Sequence, residues 1–188
     1  MEREQQIIEQ TRLWIETVVV NSGFCPFAKP VLERESIHYT VVSGVDKEQC
    51  LAALIQECVL LDKCDEVETS LVIFADAFGA FDDYLDFVSL SEQLLKGQGY
   101  EGEYQLATFH PDYCFAQTAV DDPANFTNRS LYPMLHLLRE SGVAQALAHY
   151  DAPERIPQRN IQYARDKGFA EMQSKLQACK KIAGGFDD

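Results

Sequence analysis

Residues 127–140 read TNRSLYPMLHLLRE, and the conformation given to this stretch decides the fold. Ser130 suits a helix N-cap, and Pro133 then falls in the first turn, where its missing N–H costs least. At 100° per residue, Leu131, Met134, Leu135, Leu137 and Leu138 gather on one side. Arg129, Tyr132, His136, Arg139 and Glu140 gather on the other. The spacing predicts an amphipathic helix over about 131–148. Outward from it lie three β-rich runs, Ile37–Ser43, Ser70–Ala75 and Glu103–Phe109. The middle one is continuously apolar, as a buried parallel strand is. Helical spacing covers 3–20, 47–62 behind Asp46 as cap, 80–96, and 158–181 after the Pro153/Pro157 break, while Pro26 and Pro30 predict irregular chain.

The predicted order is therefore α-β-α-β-α-β-loop-α-α. It implies an α/β fold with a small, mostly parallel sheet of about three strands, covered by N- and C-terminal helices. No repeat or linker breaks the chain, so residues 1–188 are expected to form one domain, with a frayed tail at 183–188. In such sheets ligands sit beyond the carboxyl ends of the strands. Those ends deliver Ser43 and Gly44, then Asp76, then His110 and Asp112.

Composition narrows the function classes. The chain has 188 residues, 46% hydrophobic, and a net charge of −14. That charge disfavours nucleic acid and anionic membrane surfaces, and no apolar run reaches membrane-spanning length. Residues 62–103 hold eleven acids against two bases, which is either a solvated face or a docking surface for a basic protein partner. Six cysteines show no CxxC pair and no zinc-like spacing, and the polar N-terminus does not resemble a signal peptide. A cytoplasmic, bacterial-type protein with free thiols is expected; no metal ligands are assigned, although His110 and Asp112 with Asp121 and Asp122 could supply them, so the metal and the cofactor stay open.

Candidate chemistry concentrates in the long loop after the third strand. His110-Pro111-Asp112 offers a general base with a carboxylate to orient it, or else a hydrogen-bonded turn. Asn128-Arg129-Ser130 at a helix start offers an anion site, with Arg129 as a bidentate fork, or else ordinary capping. His136 and Arg139 on the polar helix face extend either reading. Cys25-Pro26-Phe27-Ala28 resembles the Cys-Pro-aromatic-Cys of glutaredoxin-like proteins, with Ala28 where the second Cys would stand. Cys25 is then a nucleophile if a nearby base or cation lowers its pKa, or a small buried thiol if not. His38 and His149 read as structural or surface groups. Asn125-Phe126-Thr127 matches a glycosylation sequon that carries no weight without secretion.

Three segments together resemble the bacterial family DUF1415, a domain of unknown function. They are Cys25-Pro26-Phe27-Ala28, the run Tyr104 to Tyr113 (YQLATFHPDY), and Thr127 to Glu140, with Leu131 where the resemblance implies Pro. It covers nearly the whole chain and implies a soluble bacterial protein without implying an activity. The residues themselves suggest an enzyme, a hydrolase or group transferase acting on a small anionic substrate. Arg129, Ser130, His136 and Arg139 would hold the anion and Asn128 would orient it. His110 and Asp112 would supply acid/base chemistry, with Cys25 in reserve. The alternatives are a binding or adaptor domain using the acidic face, and a thiol redox protein using Cys25.

Overall fold

A computed structural model of the chain describes residues 2–148 and 150–181. Four strands form one sheet: β1 (Ile37–Val42), β2 (Thr69–Phe74), β3 (Tyr104–Phe109) and β4 (Met134–Arg139), in spatial order β1-β2-β4-β3. β1 and β2 are parallel, and β4 runs antiparallel to both β2 and β3. The first three strands thus share one direction, as expected, but β4 is wedged between the second and third. The expectation of a mostly parallel sheet of three strands is corrected to a mixed sheet of four.

The expected helix over 131–148 is strand β4 followed by α5 (Glu140–Ala148). The cause is burial on both faces. Leu135 and Leu137 are fully buried against one helical layer and Met134 against the other. A run buried on both sides loses the polar alternation that marks a strand, and Leu and Met are also good helix formers. Ser130 consequently caps no helix; its hydroxyl donates to the Tyr132 carbonyl at 2.5 Å.

Helices α1 (Glu2–Trp14), α6 (Ile156–Lys167) and α7 (Phe169–Ala178) cover one face of the sheet. Ile7, Trp14, Ala164 and Met172 meet Leu71, Ile73 and Met134 there. Helices α3 (Lys47–Lys63) and α4 (Phe81–Gly97) cover the other, where Leu54, Leu61 and Phe87 meet Val72, Phe74, Leu135 and Leu137. β2 feeds both layers by alternation, which is why its sequence reads as unbroken apolar. Asp46 caps α3 as expected, accepting from the Glu48 amide at 3.1 Å.

Three local details depart from the spacing. The first helix ends in a π-helical turn, Ile15–Val20. A short helix, α2 (Ala28–Glu33), occupies the Pro26/Pro30 region expected to be irregular. The expected last helix, 158–181, divides at Gly168, whose φ of +80° suits glycine. His149 and the 183–188 tail lie outside the described residues.

Truncating β4 tests its central position. Leu137→Ala is expected to lower stability by about 2–5 kcal/mol, read from urea melts. Leu138→Ala, at a half-buried position, should cost clearly less. Equal costs would contradict this strand assignment.

Candidate functional site

The loop from β3 to β4 is held by hydrogen bonds between its own polar side chains and backbone. His110 is fully buried, and both ring nitrogens are engaged by backbone. Nε2–H donates to the Phe78 carbonyl (2.8 Å), and Nδ1 accepts from the Asp112 amide (3.0 Å). This pattern sets a neutral ring with the proton on Nε2, and burial pushes its pKa below the ordinary histidine value. The expected dyad with the Asp112 carboxylate is therefore replaced by a bond to the Asp112 backbone, and that carboxylate is exposed. The backbone of His110 pairs with the far end of the loop: its amide donates to Asn128 (3.2 Å) and its carbonyl accepts from Ser130 (3.3 Å).

Asn125, also fully buried, organises the interior of the loop. Its Oδ1 accepts from the Phe115 amide and the Thr118 hydroxyl, and its Nδ2 donates to the Ala119 carbonyl. The sequon is thus an internal scaffold. Asn128 spends Nδ2 on the Thr108 carbonyl (3.0 Å). Asp122 caps the 3-10 turn Pro123–Thr127 and pairs with Arg165 at 2.7 Å, tying the loop to α6.

Arg129 is 6% exposed. Nε donates to the Tyr113 carbonyl (3.1 Å) and Nη2 to that of Val120 (2.7 Å), while the guanidinium lies 4.8 Å from the Phe126 ring centroid. Burial pulls its pKa down, with the Asp112 charge opposing. Arg129, Asp112 and Ser130 border one concavity of about 400 Å³, together with Asp121, Gln173, Gln177 and Lys180.

The other expected site residues lie elsewhere. Cys25, His136 and Arg139 line a second, larger cavity of about 530 Å³, bordered by the sheet, the π-helical turn, α2 and α5. The sheet floor is Leu71, Ala107, Phe109, His136 and Leu138, and the walls include Trp14, Ile15, Val19, Phe27, Val143 and Ala146. His110 and Asn128 border neither space. The expected polar helix face is thereby corrected: His136 and Arg139 stand three positions apart on a strand, so their side chains leave on opposite faces. Arg139 turns its guanidinium to the carbonyl end of α3, donating to Leu61, Cys64 and Val67.

His136 sits between Leu71 and Ala107 on the neighbouring strands. Its Nε2 is 2.6 Å from the Thr69 hydroxyl, which itself donates to the Leu137 carbonyl at 2.5 Å. Since that hydroxyl has one proton, Nε2 is the donor, and Nδ1 is an acceptor with no hydrogen-bond partner among the described residues. Burial lowers the His136 pKa to about 4. Burial also raises the Cys25 thiol above its ordinary value, against the nearby Phe27 and Ala28 amides that favour a thiolate. Both groups are thus neutral near pH 7. At the cavity rim Arg34 and Glu68 neutralise each other at 2.6 Å.

His38 does have a structural role. Its Nδ1 meets buried Glu57 at 2.7 Å, and Thr40 and Ser70 donate to the same carboxylate at 2.6 and 2.5 Å. The carboxylate, not the imidazole, is central, so this is not the nucleophile-histidine-acid order of a hydrolytic triad. Among the described residues no three of His, Cys, Asp or Glu gather where one metal ion would sit. Sequence reading missed Thr69, Gln173, Gln177 and Lys180 as site residues; none belongs to a motif, and only the folded sheet and α7 bring them in.

The four-stranded sheet, the stapled loop and the Cys25 turn together place this chain among mixed α/β proteins, with a partly open cavity against the sheet. Its sequence matches the family described as "Protein of unknown function (DUF1415)" over residues 6–174, and the chain belongs to that family. No curated protein and no solved structure matches it.

Two measurements check these assignments. His110→Ala strands a buried carbonyl and amide, so it should cost about 2–4 kcal/mol of stability. The acid limb of stability reports the two buried histidines, His110 and His136, both held below the ordinary value. An unfolded histidine titrates near 6.5, and the folded His136 near 4. The unfolded state therefore binds more protons between these values, and stability should fall as pH drops from about 6.5 towards 4. His136→Phe should flatten that slope, with NMR showing a neutral His136 ring at pH 6 in the parent.

Proposed function

We propose that this chain binds a small, uncharged molecule with an apolar or aromatic body in the cavity against the sheet. The observation that carries the reading is the cavity itself: about 530 Å³, lined mainly by hydrocarbon and aromatic side chains, with a few polar groups at fixed positions. Small-molecule sites have this size and makeup. The polar groups define the ligand further. The His136 tautomer leaves one nitrogen as acceptor, Cys25 offers a protonated thiol, and the rim charges Arg34 and Glu68 are spent on each other. A charged ligand would enter without a counter-ion and be strongly disfavoured. A hydroxyl or N–H on an apolar body matches the site.

The readings with chemistry fit less well. A thiol redox or nucleophilic role needs Cys25 activated, whereas burial favours its protonated form. A hydrolase using His110 would first break both ring hydrogen bonds. Binding requires no such rearrangement.

Trp14, the single tryptophan, borders the cavity and provides the readout. The neutral dye Nile red should bind saturably, with enhanced emission and energy transfer from Trp14. Val143→Phe with Ala146→Phe fills the space from α5 and should weaken binding by about tenfold or more, roughly 1.4 kcal/mol, while the melting temperature holds. Unsaturable dye uptake, or equal binding by the filled variant, would rule the reading out.

A further inference from the structure

The concavity between the stapled loop and α7 shares no lining residue with the apolar cavity, and its chemistry is the opposite. Arg129 is nine-tenths buried there. Nε and Nη2 are spent on carbonyls, and Nη1 has no hydrogen-bond partner among the described residues. No carboxylate among those residues lies within 4.0 Å of the guanidinium. A buried cation without a paired carboxylate is unusual, because its desolvation is not offset by a direct ion pair. Lys180 adds a second positive group, and Gln173 and Gln177 add amides able to donate or accept.

Negative charge is also present, but displaced. Asp112 and Asp121 border the same space, both exposed, and neither carboxylate forms an ion pair or hydrogen bond among the described residues. A plain anion would meet these two carboxylates, and a plain cation would meet Arg129 and Lys180. We propose that this concavity is a binding site for a small zwitterion of the amino-acid class, its carboxylate on Arg129 and its ammonium beside Asp112 and Asp121. At about 400 Å³ the space accepts such a molecule with a side chain of several carbons. Phe169 and Leu176, also on its wall, supply apolar contact for that chain.

Matched probes test the pairing of charges. L-Norleucine and 6-aminohexanoate carry both groups; hexanoate and hexylamine carry one each. In calorimetric titrations of the intact chain at low ionic strength, at least one of the two zwitterions should bind. It should bind at least about tenfold more tightly than either singly charged probe. Asp112→Asn with Asp121→Asn, both at exposed positions, should abolish that preference and bring hexanoate level with the zwitterion. Arg129→Gln should remove carboxylate-dependent binding, but it also unpins the loop, so the aspartate pair decides the matter if that variant fails to fold. Hexanoate or inorganic phosphate binding the parent as tightly as the zwitterions would overturn the proposal in favour of a simple anion site. No heat from any probe at millimolar concentration would overturn it altogether. Val143→Phe with Ala146→Phe should leave this binding unchanged.

Discussion

The imidazole of His110 joins three parts of the chain at one point. Its ring receives a hydrogen bond from the Asp112 amide in the turn beyond β3 and gives one to the loop just beyond β2, while its backbone clasps the segment leading to β4. Phe78, whose carbonyl it holds, sits at a φ of +59°, a costly conformation for a bulky residue. That cost is offset locally by the hydrogen bond and by the stack of Phe78 on Phe87 at 4.1 Å. Tyr84 completes the corner, donating to the Met134 carbonyl (2.6 Å) and accepting from the Phe109 amide (3.1 Å). Antiparallel neighbours are usually joined by a tight hairpin. Here residues 110–133 intervene, and this polar staple closes the connection so that β4 can return between two strands.

Much of this was legible from residue patterns. The strand at Thr69–Phe74 announces itself because both of its faces are apolar, and α3 because Asp46 and a stripe of Leu and Cys mark it. The common direction of β1, β2 and β3 followed from helices alternating with strands, and the ends do meet: the Gly44 amide donates to Asp76 at 3.2 Å. β4 was opaque for the same reason that β2 was clear. With Met134, Leu135 and Leu137 all buried, neither side of the run is uniformly polar, and a six-residue stretch beside a real helix reads as more helix. The loop was recognisable as special, yet its polar residues are mostly spent on its own backbone. Spacing marks His110, Asn125 and Arg129 as unusual; it does not separate a side chain that waits for a ligand from one already satisfied.

The two concavities express different solvent physics within one domain. Against the sheet, burial keeps His136 and Cys25 uncharged, and the surroundings are hydrocarbon. Beside α7, a guanidinium stays buried because carbonyls and an aromatic face surround it, and its opposite charges stand at the surface. The π-helical turn contributes to the first of these. By widening the helix at Ile15–Val20, it sets Ile15 and Val19 along the cavity wall instead of closing the chain onto the sheet. Such turns occur often where a helix borders a site.

The position of β4 has a consequence for synthesis. It is the last strand among the described residues yet an inner one in the sheet, so no ladder can connect β2 to β3 until β4 has emerged from the ribosome. Until then the most apolar strand in the molecule, Thr69–Phe74, has β1 on one side and an open edge on the other. An uncovered edge of that kind invites pairing with other chains. The nascent polypeptide therefore passes through its most vulnerable state while β4 is still missing, with its sheet split in two.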